Sequence, residues 1–140
     1  MRTLTNLKAD RLEGLLSKFE LQMPVEHAVL FLSDPSVDET VPEDTSASAV
    51  TATGDCICFW VQSDVDGPSD VTVSDQPCDR GGIECFTGEL LTPQRIVTLS
   101  TSRGFAYLNV PVRDESTEVR IWMSDAAQPE WAWVKLPIGI

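Results

Sequence analysis

The sequence predicts a mainly β protein, an antiparallel β-sandwich or partly closed barrel of about seven to nine strands, with one amphipathic helix at the N-terminus. Three observations predict it. Apolar residues alternate at a period of two along most of the chain. Turn-forming clusters of Gly, Pro, Asp and Ser recur every few residues between these runs. After residue 33 no helix-period segment interrupts them. With 140 residues, 42% hydrophobic and 23% charged, the chain suits one domain with a real core.

The N-terminal segment reads as the helix. Asp10 and Glu13 have capping-box spacing, and Leu12, Leu15, Leu16 and Phe19 fall on one helical stripe. Phe19, Leu21 and Met23 also alternate, so extended chain is expected to take over before Pro24. The segment balances its charges, unlike a basic membrane-surface or calmodulin-target helix, and is expected to cover a sheet. Val25 to Ser33 is the first strand, with Val29 and Phe31 opposing Leu30 and Leu32. Residues 34–48 hold two prolines, five acids and no aromatics, and are expected to form a mobile acidic loop.

Gly54 to Ser63, GDCICFWVQS, anchors the fold. Cys56, Cys58 and Trp60 share one face of an extended segment, and Ile57, Phe59 and Val61 share the other. A strand apolar on both faces belongs in the interior of a sheet covered on both sides. Shorter strands follow at Asp70 to Ser74, Gly82 to Glu89, Arg95 to Thr101 and Phe105 to Val112, where Pro111 favours a sheet edge or the strand's end. A hairpin turn is expected at Ser102, Arg103 and Gly104. The last pair is Glu118 to Ser124 and Glu130 to Pro137. No internal repeat is present.

The formal charge of −12 is unevenly placed. Residues 34–89 hold 13 acids against Arg80 alone, while both flanks balance. Such a field repels nucleic acid and anionic membranes and attracts a basic protein partner. The residues expected to dock one are Asp38, Glu39, Glu43, Asp44, Asp64 and Asp66. A plain solubility role for the acids is the competing reading. No apolar run approaches the roughly 20 residues of a membrane span. The N-terminus carries charges where a signal peptide needs an apolar run, which points to a cytoplasmic protein.

Cys56, Cys58, Cys78 and Cys85 read first as buried thiols. A Cys78–Cys85 disulfide comes second and a zinc site third, because Cys56 and Cys58 lack zinc-knuckle spacing. Asp64, Asp66 and Asp70 resemble a calcium loop only in part, and a turn explains them as well. No metal or cofactor is expected. His27 is the only histidine and has no nucleophile motif beside it. With no phosphate loop, zinc-protease or nucleophile-elbow motif, a non-catalytic protein is expected.

On the last two strands Val119, Ile121 and Met123, and Ala132, Val134 and Leu136, face a core. Trp122, Trp131, Trp133, Arg120 and Lys135 fall on the opposite side. That aromatic face is expected to lie under the N-terminal helix, or else to offer a platform for a carbohydrate or protein. Three classes therefore stand. The first is an acidic inhibitor-, immunity- or assembly-type binding protein. The second is a sandwich module for carbohydrate or calcium, and the third an oligomer-forming structural subunit.

Overall fold

A computed structural model describes residues 17–37, 49–101, 104–127 and 129–139. Among these are ten strands: β1 (Lys18–Met23), β2 (Val29–Ser33), β3 (Val50–Ala52), β4 (Ile57–Trp60), β5 (Ser69–Ser74), β6 (Ile83–Leu91), β7 (Ile96–Thr101), β8 (Ala106–Pro111), β9 (Ser116–Met123) and β10 (Trp131–Lys135). They form two five-stranded sheets and no closed barrel. Sheet I has the order β1-β5-β10-β9-β6, and sheet II the order β3-β4-β2-β7-β8.

The core lies between the sheets. Ile57, Phe59 and Val61 from the central run meet Leu30, Leu32, Val97, Leu99, Val71, Val73, Ile121 and Val134 there. β4 is interior, paired with β3 on one side and β2 on the other. Its second face carries Cys56 and Cys58 into a smaller buried cluster with Val29 and Phe31, with Trp60 packed against it. The two-faced reading of this run therefore holds, and period-two alternation is its cause.

Four expectations are corrected. The strands number ten rather than seven to nine, because β1 and the three-residue β3 add edges to the sheets. The sandwich is not wholly antiparallel, since β5 and β10 run parallel from Trp131↔Asp70 to Lys135↔Ser74. No α-helix occurs among the described residues. Residues 1–16, which held most of the expected helix, lie outside them, but Phe19 belongs to β1, where it stands opposite Val73. Pairing along β5 gives Lys18–Met23 a full ladder of hydrogen bonds, and this holds Phe19 extended, in line with its alternation with Leu21 and Met23. Lastly, Glu26–Ala28 is a 3-10 turn rather than the start of β2. His27 and Ala28 both adopt left-handed backbone angles, φ 62° and 60°. The ladder is replaced by Val61 N–H donating to the Ala28 carbonyl at 2.9 Å and Asp64 N–H to that of Val25 at 3.2 Å.

β8 is an edge strand, as Pro111 implied. Asp34, expected to open the acidic loop, is instead fully buried at the end of β2. Its Oδ1 accepts from the amide and hydroxyl of Ser36, at 2.8 and 2.6 Å, and its Oδ2 from the Gln94 amide at 2.8 Å. Burial alone would raise the carboxyl pKa. The hydrogen bonds from Ser36, Gln94 and Ile96 together hold it below the ordinary 3.8. The remainder of the expected loop, residues 38–48, lies outside the described residues.

Candidate functional site

The outer face of sheet I gathers the aromatic and cationic side chains. β9 and β10 pair antiparallel with Trp133 opposite Trp122 and Lys135 opposite Arg120. Consecutive strands joined by a short connection make this the default pairing. All five residues expected on the face, Trp122, Trp131, Trp133, Arg120 and Lys135, share the outward side, because their neighbours Ala132, Val134, Ile121 and Met123 are in the core.

Sequence reasoning missed what lies over the rings. Lys18 Nζ stands 5.2 Å from the Trp133 ring, the Arg80 guanidinium 4.4 Å from Trp131, and the Arg120 guanidinium 4.6 Å from Trp122. Each tryptophan is thus overlaid by one of the chain's own cations, an arrangement favoured by the negative face of the indole. Trp133 is 3% exposed, and its Nε1 donates to the Gln76 carbonyl at 2.9 Å. Trp122 and Trp131 are half-buried. Gly82 makes room for Trp131: a Cβ there would lie 2.4 Å from both the Trp131 ring and the Met123 carbonyl.

Arg120 also meets Glu84 of β6 in a fork, Nε to Oε2 at 2.8 Å and Nη2 to Oε1 at 3.0 Å. The Arg120 hydrogen bond, with a second from Thr87, lowers the Glu84 pKa to about 2. β6 and β1 are remote in sequence from β9 and β10. Lys18 was hidden by the helical reading, but Glu84 could have been found from its place in the alternation of IECF.

The described acids of the acidic stretch fall on several elements. Asp64 and Asp66 are exposed on a 3-10 turn, Asp64–Asp66, at one end of the sandwich. Ser63 caps that turn by accepting from the Val65 amide, and Val65 at its tip is 88% exposed. Asp70 lies in β5, where it accepts from Gln22 Nε2 at 3.0 Å. Asp75 accepts from the Ser17 amide at 3.3 Å, Glu84 is paired, and Asp34 is buried. Asp70 therefore belongs to a different element from Asp64 and Asp66. Among the described residues no group of three or more His, Cys, Asp or Glu is placed to hold a metal ion. Asp38, Glu39, Glu43 and Asp44 lie outside the described residues.

None of the four cysteines is in a disulfide: Cys56 and Cys58 are buried, and Cys78 and Cys85 are partly buried. Burial pushes the Cys85 thiol pKa up. His27 is exposed on the strained turn before β2. Among the described residues no helix is long and apolar enough to cross a membrane.

Two solved structures resemble the chain. One is the crystal structure of ComJ from Bacillus subtilis, an inhibitor of the DNA-degrading activity of NucA. Its TM-score is 0.67 at 8% identity, over 88% of this chain and 98% of that one. The other is the protein of crocagin biosynthetic gene J, with a TM-score of 0.57 at 10% identity, over 87% of this chain and 97% of that one. No family model matches the sequence, and no curated protein matches it.

Proposed function

We propose that this chain is a non-catalytic, inhibitor-like binding protein that docks a basic protein partner through its acidic surface. The observation that carries the reading is the charge layout. The entire excess of −12 falls within residues 34–89, and the acids of that stretch include Asp64 and Asp66, exposed on a capped, hydrogen-bonded turn. Long-range attraction from such a surface speeds encounter with a basic partner, and a rigid turn loses little entropy on docking. The likeness of the fold to that of a nuclease inhibitor supports the same reading. Asp38, Glu39, Glu43 and Asp44 complete the proposed docking set, with the partner approaching the end of the sandwich that carries the Asp64–Asp66 turn.

The test uses the DNA-degrading enzymes of the chain's own organism, purified and assayed with and without a molar excess of this protein. One basic nuclease should lose activity, and added salt should restore it. Replacing Asp64 and Asp66 together by Lys should weaken the inhibition at low salt. Inhibition that ignores salt and the double replacement would remove the electrostatic docking. If no nuclease is inhibited and no basic protein is retained on immobilised chain, the reading fails as a whole.

A further inference from the structure

The outer face of sheet II holds a cleft of about 510 Å³ where β2, β7 and β8 lie side by side. Ser33, Asp34, Thr98, Ser100 and Asn109 supply its polar lining, and Pro35 and Ala106 apolar surface. The strand register sets the grid. Ser33 stands opposite Thr98, and Thr98 opposite Asn109. In the next row Phe31 stands opposite Ser100, and Ser100 opposite Ala106. Facing side chains in such rows are about 5 Å apart.

Ser33 and Ser100 are 7% and 8% exposed, and among the described residues neither hydroxyl has a hydrogen-bond partner. A buried hydroxyl without a partner costs free energy, and native proteins keep few of them. Thr98 Oγ1 donates to Asn109 Oδ1 at 2.6 Å, which leaves the Asn109 amide N–H groups for a ligand. Asp34 is the one charged group among the described lining residues, and it is already engaged within the protein. Both Asp34 oxygens are occupied by Ser36 and Gln94, and no Lys or Arg stands among the described lining residues. Neutral hydroxyls that both donate and accept match a ligand built from the same groups, and a cavity of this size suits a small molecule.

We infer that this cleft binds a small neutral polyhydroxylated molecule, a saccharide or polyol, through Ser33, Ser100 and Asn109, with Pro35 and Ala106 against its C–H surface. The inference does not depend on the docking reading, and it places such a ligand on sheet II, away from the tryptophans of sheet I.

The isotope-labelled full chain, titrated with glycerol, glucose and maltose into the millimolar range, tests it by amide chemical shift. Saturable shifts should be confined to residues 33–35, 98–100 and 106–109. Glucose or maltose without glycerol would define a saccharide site, and glycerol with both a general polyol site. Ser33→Ala combined with Ser100→Ala should abolish the shifts while the melting temperature holds or rises, since an unpartnered buried hydroxyl is removed. Asn109→Ala, at an exposed position, should weaken binding without touching the buried pair. Three outcomes overturn the inference: no shift with any probe (water alone occupies the cleft), shifts at the indole groups of Trp122, Trp131 and Trp133 instead, or unchanged binding in the serine double variant and Asn109→Ala. A marked loss of stability in the double variant would also overturn it, by making the hydroxyls structural.

Discussion

The outer faces of the two sheets handle exposed chemistry in opposite ways. Sheet I turns Trp122, Trp131 and Trp133 outward and lays Arg120, Arg80 and Lys18 over them. Sheet II turns Val29, Phe31, Cys58, Thr98 and Ser100 outward, and all of these are buried. Both faces come from the same alternation, and both oppose one shared core. A large side chain on the outside of a sandwich can be shielded by cations that keep their charge in water, or by close packing. The first solution leaves a wet, charged surface; the second leaves the Ser33 and Ser100 hydroxyls without a partner among the described residues.

The largest effect should come from truncating each face. Phe31→Ala is expected to cost about 3–4 kcal/mol in denaturant unfolding, as for a buried aromatic. Trp122→Ala, half-buried under Arg120, should cost roughly half as much. Equal losses would erase the distinction between the faces. Next, Gly82→Ala forces a methyl against the Trp131 ring and the Met123 carbonyl, and should destabilise by about 1–3 kcal/mol. Trp131 fluorescence should change with it, while the environment of the sheet II cluster stays as it was.

A subtler contrast is in acid. Asp34 has a folded pKa below its ordinary 3.8, so its contribution is fully present above that value. It is lost as pH falls through the lower, folded value. Asp34→Asn should therefore lower stability at neutral pH and flatten the acid limb of the stability curve. On sheet I, Glu84 also titrates low, near 2, but it is exposed, so salt should mute the effect of Glu84→Gln far more than that of Asp34→Asn. The same salt response in both variants would contradict the assignment of Asp34 as the buried partner. The smallest effect is expected for Lys18→Ala, about 0.5–1 kcal/mol, read as a change in Trp133 emission more than in stability.

Much of the fold was legible because strand alternation is local. The central run shows both of its faces in six consecutive letters, Cys56 to Val61. The tryptophan face was legible too, since β9 and β10 are neighbours in sequence and pair directly. The cations over that face were not. Lys18 reaches Trp133 only because β1 pairs with β5 and β5 with β10, contacts between residues 46 to 61 apart. The helical reading of Phe19 failed for the same reason: its partner, Val73, lies far along the chain.

By itself the sequence determined which side chains share a face, where the chain turns, and that one stretch carries the excess acid, because each is a property of neighbouring residues. Only the tertiary structure decided which strands become neighbours, that β5 and β10 run parallel, that Asp34 is buried under four hydrogen bonds, and that the described acids of one stretch fall on different elements. A period of two fixes the side a residue faces. It leaves the partner across the ladder to long-range packing, where the burial of the whole core sets the choice.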